Sequence, residues 1–305
     1  MFKKIIFFII LFIVCFQNQV FAVTAFTPEY RSPRTIAMGG AYVAVADDAN
    51  SVFLNPAGLG NALKNDLSAS YVDLFPGENQ KTIVGSIGLD EFGRVGFGYN
   101  VLAVGFAMKD LSENPVQVNF ANGDMAISYG YQINKQFLVG AKVSRSFTEF
   151  SSSDGLSSAG AAYGVSLGLM IKPIPVLSAG LLLENAYATD FLYENSHSEK
   201  MPKNAVLGFS YQPLQDKVLL ALDLRSDDLE HDTDIDSASI GGEISLIDNL
   251  KLRLGYLLEN SSSAYVETGS AGLGVVMLDN LTFDYAYRKW GTRLEQHFFS
   301  MGAVI

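Results

Sequence analysis

The chain has 305 residues, of which 49% are apolar and only 17% are charged, and its formal net charge is −11. Because soluble globular domains carry about 25% charged residues, this composition argues against a highly charged soluble enzyme and against a disordered chain. A nucleic-acid-binding surface must be basic, so the acidic balance excludes nucleic acid as a partner.

The N-terminus has the pattern of a secretory signal peptide. Lys3 and Lys4 precede an unbroken apolar run over residues 5–16, and a cleavage-site pattern of small residues ends at Ala22. The run is too short to span a hydrocarbon layer about 30 Å thick, which disfavours the alternative of an uncleaved anchor helix. We therefore expect residues 1–22 to be removed by cleavage near Ala22.

Residues 23–65 separate the signal peptide from the first strand and show no period-2 alternation. The segment is apolar and rich in small residues and glycine. A short helix is predicted near residues 47–54, where Asp47 or Asp48 could cap its start and Asn55-Pro56 would stop it. The candidate functional motif of this segment, called the plug motif, comprises Met38, Gly39, Gly40, Ala41, Asp47, Asp48, Phe53, Asn55, Pro56, Ala57 and Gly58.

From residue 66 onward, apolar residues alternate with small or polar residues, as in β-strands with two different faces. Val95, Phe97 and Tyr99, for example, alternate with Gly96 and Gly98. No apolar stretch here is long enough for a membrane helix, and an exported apolar chain without one can satisfy its backbone in a closed barrel. The pattern predicts fourteen strands, near residues 66–75, 80–89, 93–104, 123–133, 136–149, 159–171, 176–186, 203–212, 217–226, 237–246, 250–259, 268–278, 281–289 and 295–305.

The alternative is a soluble β-sandwich, in which the same apolar face would point into a core between two sheets. Two features favour the membrane barrel. The predicted strands approach the length of about 9–11 residues that a tilted membrane strand needs. Their second face is rich in glycine rather than in Lys and Glu, as expected for a confined interior.

The connections between the predicted strands alternate in length. Short turns rich in Asn, Asp and Pro alternate with longer loops, which is the arrangement of short periplasmic turns and long outer loops in outer-membrane barrels. The first and last outer connections, residues 76–79 and 290–294, are short exceptions. The longer predicted loops span residues 105–122, 150–158, 187–202, 227–236 and 260–267.

The number of strands bears on what the lumen contains. A barrel of about 8 strands is filled by its own side chains, whereas 16–18 strands leave an aqueous channel. A barrel of intermediate size can hold an additional segment. We therefore predict an all-β fold, a transmembrane antiparallel β-barrel of about 14 strands over residues 66–305. Residues 23–65 are predicted to fold into its lumen as an N-terminal plug.

Several charged residues fall on positions predicted to face the lumen. The hairpin around Asp248 places Glu243 opposite Arg253, a cross-strand pair that stabilises by about 0.2–1 kcal/mol. The simpler interpretation of these charges is a salt-bridge network that fills the lumen, and the alternative is a polar lining that guides a solute. The predicted lumen-facing charges are Arg94, Lys142, Asp223, Glu243, Arg253, Asp284 and Arg288.

Four parts of the sequence together resemble a known family. They are the plug motif, the segment from Gly241 to Glu243, the segment from Leu252 to Tyr256 and the final segment from His297 to Gly302. They are similar to the outer-membrane long-chain fatty acid transporter (FadL-like) superfamily, and within it to the PorV/PorQ-like branch. The resemblance implies a fourteen-stranded barrel with an N-terminal hatch that contains Asn55, Pro56 and Ala57.

The resemblance implies two different functions. The first is passive transport of hydrophobic or amphipathic solutes, with a solute that binds near the plug at Phe53, Asn55 and Pro56. The second is a non-transporting component of a type IX secretion or surface-attachment complex, which would display loops 105–122 and 187–202 to secretion-system proteins. Either function places the mature protein in the cell outer membrane, in contact with outer-membrane lipid.

Residues that could support catalysis or metal binding are few. His197 and His231 lie in predicted loops, and His297 and Ser300 are three positions apart on a strand, so they face opposite sides. The acidic loop over residues 227–236 lacks the spacing of an EF-hand, and the only cysteine, Cys15, lies in the signal peptide. The sequence therefore predicts no enzymatic activity, no cofactor and no metal site.

Overall fold

The structure is a computed structural model that describes residues 32–62, 64–75, 77–109, 114–194, 198–214, 217–231, 234–261, 264–278, 280–290 and 294–305. The predicted signal peptide with Cys15, the first part of the predicted plug segment (residues 23–31) and His197 lie outside the described residues. Within the described ranges, no helix is both long and apolar enough to cross a membrane.

Fourteen long antiparallel strands form a closed barrel. Strands β1 to β7 pair in chain order, β7 pairs with β10, β10 to β16 pair in chain order, and β16 pairs with β1. Two short strands, β8 and β9, form a small hairpin attached to β6. The bounds are β1 Asp66–Phe75, β2 Glu78–Gly88, β3 Arg94–Lys109, β4 Pro115–Gln132, β5 Phe137–Ser152, β6 Ser157–Ile174, β7 Leu177–Ala188, β8 Phe191–Tyr193, β9 Ser198–Glu199, β10 Asn204–Leu214, β11 Val218–Ser226, β12 Ser237–Ile247, β13 Leu250–Ser261, β14 Ala264–Met277, β15 Leu281–Trp290 and β16 Leu294–Val304.

The apolar face of the strands points outward and the second face points into the lumen. Ile127 is 66% exposed whereas the next residue, Ser128, is 1% exposed, and Leu254 is 70% exposed beside Arg253 at 4%. This distribution is the reverse of a soluble sandwich, whose apolar side chains would be the buried ones. The prediction of a fourteen-stranded barrel is confirmed, and the sandwich alternative is wrong.

The strands β3 to β6 are longer than predicted and form a tall wall. They have 16, 18, 16 and 18 residues, whereas β10, β11 and β12 on the other side of the barrel have 11, 9 and 11 residues. The predicted loops 105–122 and 150–158 are therefore largely strand. They were missed because the apolar residues change sides here: Val116 and Val118 belong to the inward face and are buried.

Two other predicted loops also contain strands. Loop 187–202 includes the end of β7 and the hairpin of β8 and β9, and loop 260–267 is mostly the continuation of β13 and β14. In both places the backbone groups of adjacent strands continue to pair beyond the regular alternation of side chains. Backbone pairing does not depend on side-chain alternation, so these extensions leave a weak signal in the sequence.

The described part of the N-terminal segment, residues 32–62, is called the plug and contains three short helices. Helix α1, Pro33–Ala37, was not predicted. It begins with a capping box, in which Ser32 Oγ accepts from the Thr35 backbone N–H and Thr35 Oγ1 accepts from the Ser32 backbone N–H, each at 3.2 Å, and with a proline at its first position.

The predicted helix near residues 47–54 is shorter than expected. Helix α2 is Ser51–Leu54, its N-cap residue is Asn50, and no side chain caps it, so the expectation that Asp47 or Asp48 caps the helix is wrong. Asp48 Oδ1 instead accepts from the backbone N–H of Asn50 at 2.8 Å, in the turn that precedes the helix. The helix ends before Asn55 as predicted, and a 3₁₀ helix, Pro56–Asn61, follows.

The hydrophobic core of the molecule lies between the plug and the inner face of the barrel. Ile36 and Ala37 pack against Val72, Ala286 and Phe298 on one side of the barrel. Similar clusters join the plug to the other strands, so the plug is packed all around. These clusters comprise Val52, Phe53 and Leu59 with Val84 and Ala126; Met38, Ala41 and Val45 with Leu219 and Ala221; Tyr42, Ala46 and Ala57 with Leu138 and Met170; and Val43 with Leu182 and Val206.

Candidate functional site

Three neighbouring glycines of the wall receive one half of the plug motif. Gly130, Gly140 and Gly168 lie side by side on β4, β5 and β6, close to the short turns. A Cβ atom on Gly130 would lie 2.5 Å from the Pro56 carbonyl oxygen, and Cβ atoms on Gly140 and Gly168 would collide with the backbone from Asn55 to Ala57. The wall therefore needs glycine here because the plug backbone lies directly against the strands.

A second pair of wall glycines receives the other half of the motif. Gly241 and Gly255 are directly opposite each other on β12 and β13, and Cβ atoms at either position would collide with the backbone of Met38 or Gly39. Gly39 itself has a φ of +67°, and a Cβ there would lie 2.5 Å from the Tyr256 nitrogen. The plug motif thus contacts two of the wall segments that carry the resemblance to the FadL-like superfamily, the one from Gly241 to Glu243 and the one from Leu252 to Tyr256.

Asn55 is completely buried within the plug. Its amide Nδ2 donates to the Val43 carbonyl oxygen at 2.7 Å, and its Oδ1 accepts from the Ala57 backbone N–H at 3.2 Å. The side chain therefore joins two turns of the plug. Phe53 and Pro56 are buried as well, so a solute could reach these three residues only after the plug has shifted.

Two of the predicted lumen-facing charges bind the plug backbone. Asp223 Oδ2 accepts from the backbone N–H groups of Tyr42 and Val43 at 2.7 and 2.9 Å. Lys142 Nζ donates to the Phe53 carbonyl oxygen at 3.3 Å. The inward direction of both side chains was predicted, but their partners are distant in sequence and were not.

The predicted pair between Glu243 and Arg253 is present and belongs to a larger network. Glu243 and Arg253 are opposite each other in the register, and their side chains approach to 2.7 Å. Arg253 also pairs with Asp284 at 2.5 Å, and Lys251 pairs with Glu243 at 2.9 Å. This network stabilises the wall beside the plug, which fits the salt-bridge interpretation.

Arg34 of helix α1 connects the plug to this network and was missed in the sequence. Its guanidinium pairs with Asp47 at 2.5 Å and Asp48 at 2.7 Å, and it lies 3.5 Å from Glu243 of the wall. Its place in the sequence gives no pattern that predicts three carboxylate partners. The two acidic residues of the plug motif therefore balance Arg34 rather than cap a helix.

The ionisation of this group follows from its surroundings. Burial by itself would lower the pKa of Arg34, but Asp47, Glu243 and Asp48 outweigh it and raise the pKa well above its ordinary value. Burial likewise would raise the pKa of Asp48, but the charge of Arg34 and the hydrogen bonds that Asp48 accepts bring the pKa below 3.8. Both groups are therefore charged at neutral pH.

The remaining predicted charges also face inward and are partnered. Arg94 donates to the Lys64 carbonyl oxygen at 2.8 Å, next to the start of β1. Arg288 Nε donates to Gln296 Oε1 at 2.9 Å, and its guanidinium lies 5.4 Å from the centre of the Phe298 ring.

The pairing of β7 with its neighbours is irregular near Asn185. The pairing of β6 with β7 shifts between Val165 and Leu167, and Asn185 of β7 has a φ of +50°. The Asn185 backbone N–H donates to Ser166 Oγ at 3.1 Å, and its Nδ2 donates to the Pro202 carbonyl oxygen at 3.0 Å. These bonds close the wall where β7 separates from β10.

Those residues considered for catalysis or metal binding that the structure describes are not brought together. His297 is exposed on the outer face, where the Tyr285 hydroxyl lies 2.9 Å from its Nδ1, whereas Ser300 is on the inward face. In the acidic loop, Lys203 and Glu230 pair at 2.6 Å, and Arg225 and Asp227 pair at 2.7 Å. No group of three or more potential metal ligands occurs among the residues that the structure describes.

Comparisons with known proteins identify the fold. No family model matches the chain, and no curated protein matches it. Among solved structures, the toluene transporter TodX of Pseudomonas putida matches with a TM-score of 0.63 and 16% identity, over 91% of this chain and 98% of that chain. The barrel has the FadL-like fold.

Two further structures support this assignment. A Pseudomonas aeruginosa FadL homologue matches with a TM-score of 0.64 and 12% identity, over 92% of this chain and 99% of that one. The monoaromatic hydrocarbon channel CymD matches with a TM-score of 0.60 and 14% identity, over 93% and 97%. At these identities the likeness concerns the fold, and it extends over nearly the whole length of each chain.

Proposed function

We propose that the protein is a passive channel of the outer membrane for hydrophobic or amphipathic small molecules. The observation that carries this proposal is the match of the whole barrel to a toluene transporter and a monoaromatic hydrocarbon channel. The apolar outer face of the strands, with exposed residues such as Ile127 and Leu254, is suited to contact with lipid.

The plug determines how a solute could pass. It lies in the half of the lumen close to the short turns, which face the periplasm in outer-membrane barrels. It is anchored by wall glycines, by Asp223 and Lys142, and by Arg34. A solute that enters from outside passes the outer half of the lumen and then meets the plug, so transport requires either a shift of the plug or a passage beside it. In this proposal Asn55 acts by holding the plug together.

Uptake by cells tests the proposal. Cells that lack their own hydrocarbon channels would express the full chain and receive radiolabelled toluene or octanoate. We expect uptake of at least one of the two to be faster than in cells without the chain, while uptake of sucrose is unchanged. Equal uptake of both compounds with and without the chain would contradict a transport function.

A second candidate is the PorV/PorQ-like role in a secretion or surface-attachment complex. The observation that favours it is the projection of the tall wall, whose hairpins carry exposed apolar residues. Phe106, Met108 and Leu156 are 49%, 51% and 63% exposed near the tips of β3, β4, β5 and β6. Co-purification with secretion-system proteins that is lost when both tips are shortened would support this role, and unchanged secretion after deletion of the gene would contradict it.

A further inference from the structure

Arg145 of β5 points away from the lumen, toward the lipid. Its neighbours Ser144 and Ser146 face inward and are 4% and 2% exposed, whereas Val143, on the same side as Arg145, is 56% exposed. A tilted strand crosses a membrane with about 9–11 residues. Arg145 is the ninth residue of β5, counted from the short turn. It therefore lies near the level at which the hydrocarbon of the outer leaflet meets its headgroups.

Arg145 differs from the other described arginines in its contacts. The others lie in the plug or on the inner face of the wall, and each donates to a carboxylate, carbonyl or amide oxygen. They are Arg34, Arg94, Arg225, Arg253 and Arg288. The guanidinium of Arg145 forms no ion pair and no hydrogen bond with any described residue, and it lies 5.6 Å from the centre of the Phe147 ring. Its N–H donors are therefore available to an acceptor outside the chain.

Phe147 holds the Arg145 side chain against the wall. The Phe147 ring lies over Gly123 of β4, where a Cβ atom would collide with it, and it stacks on Tyr99 with 6.3 Å between the ring centres. Phe147 is therefore only 7% exposed although it is on the outer face. A cation is attracted to the face of such a ring. Because the ring is fixed, the guanidinium is partly ordered before any ligand binds, which lowers the entropic cost of binding.

An open groove of about 320 Å³ begins at Arg145 and runs toward the outer end of the wall. Its floor is formed by the small residues Ala161 and Ala159 of β6. On one side Ala161 is directly opposite Phe147 of β5, and on the other side it is directly opposite Leu192 of β8. Leu192 is 61% exposed, and the two floor residues are half-buried, so the groove is accessible from the outside of the barrel.

Two glutamates flank the outer end of this groove. Glu149 of β5 is directly opposite Ala159 in the sheet, and on the other side the Glu194 backbone N–H donates to the Ala159 carbonyl oxygen at 3.0 Å. Both glutamates are exposed and line the groove. Because β6 lies between them, their backbones are about 10 Å apart. Ionised carboxylates only accept hydrogen bonds, so a group that binds between them must donate on two opposite sides.

We propose that this groove binds a lipid of the outer leaflet whose headgroup combines a phosphate with a sugar. The guanidinium of Arg145, at the membrane end, matches a phosphate, which it can bind through two parallel hydrogen bonds. The sugar ring would lie on the small floor, where its hydroxyl groups can donate to Glu149 on one edge and to Glu194 on the other. A single ammonium group is too small to reach both carboxylates. The inference concerns the outer face of the barrel and does not depend on the proposed channel function.

Binding of defined lipids tests the inference. The full chain in detergent would be titrated with lipid A, an acylated glucosamine disaccharide that carries phosphates, and native mass spectrometry would measure the bound fraction. The matched probes are lipid A without its phosphates, and phosphatidylethanolamine, which has a phosphate but no sugar. Charge-assisted hydrogen bonds are the strong ones, so their loss is expected to weaken binding at least about tenfold. We therefore expect lipid A to bind about tenfold more tightly than either probe.

Two variants with matched controls locate the binding site. Arg145→Gln removes the cation and should weaken binding of lipid A about tenfold. Its control, Lys81→Gln, removes an exposed cation of the outer face on β2, outside the groove, and should bind as the unchanged chain does. Ala161→Phe fills the floor of the groove and leaves Arg145 in place, and it should weaken binding as well. Its control is Ala141→Phe, at an outward position of β5 nearer the short turn.

Several results would overturn the inference. Equal affinity of the Arg145→Gln chain and the unchanged chain for lipid A would show that Arg145 does not bind the lipid. Equal affinity for lipid A with and without phosphates, or for lipid A and phosphatidylethanolamine, would show that the proposed headgroup is not recognised. If Lys81→Gln weakens binding as much as Arg145→Gln, the attraction is a general effect of positive charge and the groove is not the site.

Discussion

In the half of the lumen near the short turns, wall glycines face the backbone of the plug, whereas in the outer half the wall presents amide and hydroxyl side chains. Gly140 and Gly255 leave room for a chain segment that is always present. Asn122 and Thr148, farther along the same wall, each have one buried polar atom with no hydrogen-bond partner in the described part of the chain. The contrast shows that the wall near the short turns is shaped around the backbone of the plug, whereas the wall of the outer half carries side chains that can form hydrogen bonds.

The largest effect on stability is expected where a charged residue in the half of the lumen near the short turns loses an ion-pair partner. Replacement of Arg253 by methionine (Arg253→Met) leaves Glu243 buried without its closest cation and removes the partner of Asp284. Breaking a buried pair from one side costs about 3–5 kcal/mol, and the lower end of this range applies here because Lys251 and Arg34 remain close to Glu243. We expect a loss of this size in the free energy of unfolding, measured by denaturant titration of the refolded barrel. Lys289→Met, at an exposed position, is the control and should change it by less than about 0.5 kcal/mol.

The second-largest effect on stability is expected where the plug backbone packs against a glycine of the wall. Gly140→Val inserts a side chain where the backbone of Pro56 and Ala57 lies, and overpacking of this kind costs about 1–3 kcal/mol. We expect lower stability together with faster entry of a hydrophilic dye, because the displaced plug no longer fills the lumen. Gly269→Val is the matched control, since a Cβ atom at Gly269 meets nothing within 4 Å. Equal behaviour of the two variants would mean that the wall does not hold the plug.

A smaller effect is expected from pH, because the plug is also anchored by charge. The pKa of Asp48 in the folded chain lies below its ordinary value of 3.8, so its ionised form stabilises the fold. This contribution is complete above the ordinary value and is lost as pH falls through the lowered pKa. The unchanged chain should therefore lose more unfolding free energy between about pH 5 and pH 3 than Asp48→Asn does. Parallel curves for the two chains would show that Asp48 does not carry this contribution.

The same contrast explains how much of the molecule could be predicted from its sequence. Local alternation was enough to predict the fourteen strands, and the short turn near Asp248 was enough to pair Glu243 with Arg253, as the register confirms. The capping box of Ser32 and Thr35 is also a local signal and could have revealed helix α1.

The contacts between the plug and the wall could not be predicted in this way. They join Gly39 to Gly255 and Asn55 to Gly168, residues that are more than a hundred positions apart. A glycine in a strand sequence does not reveal whether it meets a backbone, a side chain or lipid. The tall wall was missed for a different reason, since the apolar residues of β3 and β4 move to the inward face toward the loop ends of these strands.

The smallest effect on stability is expected from a substitution in the outer half of the lumen. This prediction distinguishes the two halves most clearly. Asn122→Leu removes a buried amide whose Oδ1 has no hydrogen-bond partner among the described residues. The substitution therefore breaks no described hydrogen bond of that oxygen and removes a buried, unpaired polar atom. Replacement of such a group by an apolar one of similar shape is nearly neutral or stabilising. We expect the free energy of unfolding to change by less than about 0.5 kcal/mol or to rise. A loss comparable to that of Gly140→Val would mean that Asn122 stabilises the fold through contacts other than a hydrogen bond of this oxygen.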